Sequence, residues 1–240
     1  MPTTEIAIIP LKPGTAIGDP DTEAARILKE CADTIKRQPG CQEINFGPTI
    51  ESPDVLQMLI SNPPLIPSVS HPISSPRTSN ANNCVKDWDT RQSHADFEAS
   101  PEYPPFMKSF GKLIDGTAQL THVDFTPASA LHKALSAPVT EIATFYHDDA
   151  PSDSYVEEAL KIEPVLQKAD GYLGAALGVT YEEIERNGLK GKAAVLVVGW
   201  QSKEAHMAFR ETESFKENIG TLRGDAKGIE MHHVALLKAL

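Results

Sequence analysis

A chain of 240 residues, 40% hydrophobic and 23% charged, has room for one large domain or for two of about 100–120 residues each. Its 22 basic and 33 acidic residues give a net charge of -11, which offers no attraction to phosphate backbones or anionic lipid and argues against nucleic acid or membrane surfaces as partners. Met1 to Leu11 has no basic leader, no apolar run approaches membrane-span length, and Cys31, Cys41 and Cys84 have neither metal-type spacing nor an even number for pairing, so a reducing, cytoplasmic setting is expected.

The first apolar run, Glu5–Leu11, reads as a strand. A helix follows, with Asp21 as a plausible N-cap and Ala24, Ile27, Cys31 and Ile35 at three- and four-residue spacing on one face. After a turn at Pro39-Gly40 comes a strand carrying Gly47-Pro48-Thr49, and the run Val55–Ile60 pairs back on it as a third strand. Segment 61–87 breaks the pattern. It holds five prolines and six serines with little periodicity, too little apolar surface to offset its ordering entropy. A disordered surface insertion, a lid over the neighbouring pocket and a translated intron all fit that composition. Trp88, His94 and Phe97 then lead along a second helix, and His122-Val123 lies in a fourth strand.

Past a linker at 127–138 with helical potential at Ala128–Leu135, the same landmarks return in the same order. Thr4-Glu5-Ile6-Ala7 recurs as Thr140-Glu141-Ile142-Ala143, opening the strand Glu141–Tyr146. Asp153 or Ser154 could cap a helix with the stripe Tyr155, Ala159, Ile162 and Leu166, in which Pro164 predicts a kink or a late restart. Asp170-Gly171 supplies the turn, Gly178-Val179-Thr180 the second strand, and Ala193–Val198 the third. Trp200, His206 and Phe209 repeat the separations of Trp88, His94 and Phe97, and His233-Val234 matches His122-Val123. Each half therefore runs β-α-β-β-α-β, the ferredoxin-like motif. The expected class is α+β: two tandem ferredoxin-like repeats, 1–126 and 139–240, packed sheet to sheet because each sheet has a second face to bury.

This order, with a Trp ending strand three and a polar-aromatic helix behind it, resembles the antibiotic-biosynthesis-monooxygenase (ABM) group of dimeric α+β barrel proteins, in particular the fused two-repeat members of fungi. The resemblance implies an intramolecular pseudo-dimer, with further homodimerisation left open. It also implies a pocket in each repeat, between helices and sheet, for a small hydrophobic or aromatic molecule. Relatives of this kind oxidise phenolic or quinone-like substrates with oxygen and no cofactor, cyclise polyketides, degrade haem, or have no known activity. Many carry a His nine residues after the strand-three Trp. Here those positions are Phe97 and Phe209, with His94 and His206 three residues earlier, close to one helical turn away.

The candidate general bases are His233, His122, His206 and His94, because imidazole titrates near neutrality. Trp200, Phe209, Trp88 and Phe97 are the candidate ring-positioning residues, each equally suited to a place in the core. In each strand-four pair, one of His or Val faces the helix-covered side, and His232 must point away from its neighbour His233. Glu5 and Glu141 read as solvated strand ends. His147-Asp148-Asp149 lies at a turn without a further ligand at suitable spacing, so no metal is expected, and no glycine pattern supports a nucleotide cofactor. Two functions remain: a cofactor-independent oxygenase or cyclase for a small aromatic or polyketide-like molecule, or a non-catalytic, ligand-binding or stress-related barrel protein.

Overall fold

Strand alternation and helical stripes put the elements close to where the patterns predict them. The computed structural model describes residues 3–39, 41, 43–61 and 91–239. In the first half these form β1 (Thr3–Pro10), α1 (Glu23–Lys36), β2 (Glu43–Pro48), β3 (Val55–Ser61), α2 (Arg91–Glu98), α3 (Tyr103–Phe110) and β4 (Gln119–Thr126). A connecting helix, α4 (Ala128–Leu135), leads to β5 (Val139–His147), α5 (Asp153–Leu160), α6 (Glu163–Leu166), β6 (Tyr172–Thr180), β7 (Ile184–Arg186), β8 (Leu189–Trp200), α7 (Lys203–Arg210), α8 (Glu213–Arg223), β9 (Gly228–Val234) and β10 (Leu237–Lys238). The Pro/Ser-rich segment past Ser61, with Cys84 and Trp88, lies outside the described residues. Among the described residues no helix is long and apolar enough to cross a membrane.

Two helix starts differ from the sequence reading by one residue. Thr22, not Asp21, caps α1: its backbone is extended and its hydroxyl accepts from the Ala25 amide at 3.1 Å. Asp21 is tied instead into the preceding turn through the Asp19 carboxylate. Ser152 caps α5 by accepting from the Tyr155 amide, which leaves Asp153 in the first turn, where the helix dipole favours a carboxylate. Pro164 produces the late restart, opening α6 after α5 ends at Leu160.

The strands form one antiparallel sheet in the order β10-β2-β3-β1-β4-β6-β8-β5-β9, with β7 paired to β8. The halves meet edge to edge at two seams. At one, β4 pairs with β6 from Val123↔Thr180 to Thr126↔Leu177. At the other, β10 pairs with β2, Thr49 bridges Val234, and the Ile50 amide donates to the His233 carbonyl at 2.8 Å. The sheet thus curls round on itself, and its two faces bury different sets of side chains.

Inside lie Ile6, Leu59, Val123, Ile142, Val197 and Val234, with Leu131 and Leu135 of α4 packed against them. The outer face carries two separate cores, one beneath α1–α3 and one beneath α5–α8. Strand periodicity assigns every residue to a side. Ile6 and Ile142 point in, while Ala7 and Ala143 point out to the helices. Val123 and Val234 point in, so His122 and His233 face the helices, as the His-Val pairs require. His232 points inward and bonds Gln57 Oε1 at 3.0 Å.

The repeated glycines belong to the seams. A Cβ on Gly178 would collide with the Val123 side chain and the Asp124 carbonyl, and one on Gly47 with the Ala235 carbonyl. These contacts cross from one half to the other. Gly178→Ala should therefore cost about 1–3 kcal/mol by overpacking. Gly220→Ala, in α8, where an added methyl meets nothing within 4 Å, should instead gain roughly 0.5–1 kcal/mol. Urea denaturation of the two variants checks the pair, and equal effects would show that the seam tolerates a side chain.

Candidate functional site

Glu141 sits near the start of β5, on the helix-covered side, and is buried rather than solvated. Trp200 ends β8 two registers away and donates its indole N–H to Glu141 Oε2 at 2.9 Å. The chain then turns at Ser202, whose hydroxyl caps α7, and this sets His206 one turn into the helix and facing back toward the sheet. Its imidazole stacks on Trp200 (centroids 5.0 Å apart, 18° between planes) with Nε2 3.4 Å from Glu141 Oε2. On the other side, His206 Nδ1 is 2.7 Å from His233 Nε2.

The chain of contacts continues across the seam into the other half. His233 Nδ1 lies 2.7 Å from Glu51 Oε1, and the His233 amide donates to Glu51 Oε2 at 2.8 Å. Lys203 closes the outer end at 2.8 Å from Glu51 Oε1. Trp200, Glu141, His206, His233, Glu51 and Lys203 thus form one run of contacts from the pocket to a partly exposed carboxylate. Glu51 stands outside the candidate set read from the sequence. Its signal was there, because Gly-x-Thr extends in both halves to Gly-x-Thr-x-Glu, ending at Glu51 and Glu182.

Burial pushes the Glu141 carboxyl up to about 7, although the Trp200 N–H and the Arg210 charge pull it down. Burial and the neighbouring His233 and Arg210 hold His206 down at about 3, so it is neutral. Burial also favours protonated Glu51, but the His233 amide, Lys203 and the His233 ring outweigh it and hold that carboxyl at about 2. These states fix a consistent set of tautomers. His206 Nδ1–H donates to His233 Nε2 and His233 Nδ1–H to ionised Glu51, which turns the His206 Nε2 lone pair toward Glu141 Oε2, 3.4 Å away and without a hydrogen bond.

The pocket beside Glu141 has a volume of about 100 Å³ and is walled by Trp200, His206, Phe209, Arg210 and Met231, among others. His233 stands behind His206, outside the wall. The first half repeats the plan around a pocket of about 90 Å³ that Glu5, His94 and Phe97 line. Glu5 too is buried, contrary to the solvated strand end expected, because α2 and α3 cover its side of the sheet. His122 Nδ1 lies 3.0 Å from Glu182 Oε1, the mirror of His233 on Glu51, so each half supplies a carboxylate to the other. Trp88, the counterpart of Trp200, falls outside the described residues. His147 ends β5 with its ring buried 3.0 Å from Asp225, away from both pockets.

No protein-family model matches the sequence, and no curated protein does. Solved structures match over the whole chain. An anthrone oxidase-like protein superposes with a TM-score of 0.65 at 12% identity, covering 99% of this chain and 93% of its own. A candidate chlorite dismutase gives 0.53 at 15%, over 99% and 96%. A candidate monooxygenase from Fusobacterium nucleatum gives 0.52 at 12%, over 98% and 92%. The fold is a dimeric α+β barrel. At such identities the likeness extends to fold alone.

The buried groups set a pH signature. Glu141 keeps its proton in the barrel up to about pH 7, whereas an unfolded Glu loses it near 4.5, so its contribution to stability falls as pH rises between those values. His206 and His232 act oppositely. They stay neutral in the barrel down to about 3 and about 4 but are protonated below 6.5 when unfolded, so stability falls as pH drops through that range. Between pH 4.5 and 6.5 the two histidines outnumber the one carboxyl, so these groups together make stability rise with pH. Glu141→Gln removes the opposing contribution and should steepen that rise in urea titrations. An unchanged slope would mean that Glu141 is already ionised throughout.

Proposed function

We propose that the second-half pocket is an acid–base site acting on a small hydrophobic or aromatic molecule, in the manner of a cofactor-independent oxygenase or cyclase. The observation that carries this reading is Glu141, a carboxyl poised near neutral pH in an apolar pocket and wired to the surface. Sequence reasoning favours the histidines as bases. An imidazole held near 3 is a weak base, so His206 serves better as a relay and Glu141 as the group that meets substrate.

Ionised Glu141 takes a proton from a phenol, enol or activated C–H. The proton passes to His206 Nε2 as His206 Nδ1–H passes to His233 Nε2, leaving an imidazolium on His233 beside the Glu51 carboxylate. Charge is conserved: one negative charge appears on the substrate, one positive charge on His233. Arg210 in the pocket wall favours that substrate anion, while Trp200 and Phe209 position its ring. An electron-rich anion in an apolar pocket is the reactant common to oxygen-dependent oxidation and to ring closure. On this reading 1–126 and 139–240 act as a pseudo-dimer joined by 127–138.

The cavity volume supports a second reading. About 100 Å³ is below the roughly 150 Å³ of an apolar cavity that admits benzene, so a multi-ring substrate requires the pocket to widen. A pocket that stays this small fits a non-catalytic or stress-related barrel protein. Incubation with anthrone- or quinol-type substrates under oxygen separates the two. Catalysis predicts turnover with an inflection near pH 7, lowered about 10²- to 10⁴-fold in Glu141→Gln, with losses also in His206→Ala and His233→Ala. Equal turnover in wild type and Glu141→Gln would exclude this carboxyl, and ligand-induced thermal stabilisation without turnover would favour the binding reading.

A further inference from the structure

The first half keeps the residue types of the second but arranges them differently. In the second half the two imidazoles bond directly at 2.7 Å. In the first, the rings of His94 and His122 are about as close (centroids 5.4 Å against 5.0 Å), but His122 Nε2 is buried with no hydrogen-bond partner among the described residues. His94 Nδ1 lies 3.7 Å from Glu5 Oε2. One ligand atom each from Glu5, His94 and His122 lie within 4.8 Å of one another, and these residues form the sole such cluster among the described residues.

We propose that Glu5, His94 and His122 bind a divalent first-row transition-metal ion, at a site absent from the second half. The donor set of two imidazoles and one carboxylate suits zinc, iron or cobalt rather than calcium or magnesium, which prefer all-oxygen shells. Donors at about 2.1 Å from a tetrahedral ion lie roughly 3.4 Å apart, so a small inward movement of the three side chains closes the shell.

The outer shell is already in place. Glu182 Oε1 takes the His122 Nδ1–H at 3.0 Å, which fixes the tautomer that presents the Nε2 lone pair to the cluster. Glu182 is itself held by the His122 amide at 2.8 Å and the Thr121 hydroxyl at 3.0 Å. Carboxylate-to-histidine support of this kind is what metal-bound imidazoles ordinarily have. Glu5 and His94 also line the first-half pocket, which leaves a direction from which a fourth, exchangeable ligand can approach. In the second half the short His206–His233 bond fills the corresponding space.

Metal binding in the first half is independent of acid–base chemistry in the second, and it has a readout other than turnover. The experiment titrates the full, tag-free, chelator-treated chain with Co²⁺ and with Zn²⁺, following visible absorption, calorimetric stoichiometry and melting temperature. One equivalent per chain should bind, with cobalt ligand-field bands and a raised melting temperature in zinc. Glu5→Gln and His122→Ala should abolish the bands, and Glu182→Gln should weaken affinity about 10- to 100-fold while keeping all three ligands. His206→Ala should bind as wild type does. Should His122→Ala fail to fold, Glu5→Gln and Glu182→Gln carry the test. No binding at micromolar metal, an ordered water in place of the ion, or equal loss in His206→Ala and Glu5→Gln would overturn the assignment.

Discussion

The site depends on a crossing. The loop after β2 carries Glu51 over the seam to His233, and the loop after β6 carries Glu182 back to His122. Each carboxylate accepts both the amide and the ring N–H of a strand-four histidine, so the contact fixes a backbone and a tautomer together. The approach requires close backbones, which is why glycine stands at Gly47 and Gly178, where a methyl would strike the opposite strand. Neither half alone has a complete set of polar groups, and a chain holding both guarantees the pairing at no cost in association entropy.

Burial of the acid follows from the same geometry. Glu141 is carried to the helix-covered side by strand parity, and α7 with Trp200 closes over it. An isolated carboxylate there would be expensive. Trp200's N–H and Arg210 offset part of that cost, but not enough to restore an ordinary carboxylate, and the balance leaves the group near neutrality. Beyond His206, the environment becomes charged and wet at Glu51 and Lys203, so the path runs from a group that resists charge to one that keeps it.

Much of this was legible in the sequence. Period-two strands, period-three-and-four helices and the recurring Trp-His-Phe spacing specify the tandem barrel, because they encode which face each residue buries. The cap positions Thr22 and Ser152 were one residue from those read, since neighbouring Asp and Ser have the same capping chemistry and the backbone angles decide between them. Glu5 and Glu141 were misread because a charged residue at a strand start is ordinarily solvated, and only the tertiary cover of helices removes the water. Glu51 and Glu182 were missed for a different reason: their partners lie in the opposite half, and no spacing within one repeat encodes a contact between two.

Identical landmarks also do not enforce identical chemistry. His206 and His233 share a hydrogen bond, so a proton on one is felt by the other. His94 and His122 occupy the matching positions, yet His122 Nε2 has no hydrogen-bond partner among the described residues. The same four positions can therefore serve a proton in one half and a cation in the other, and whether the two imidazoles share a hydrogen bond decides which.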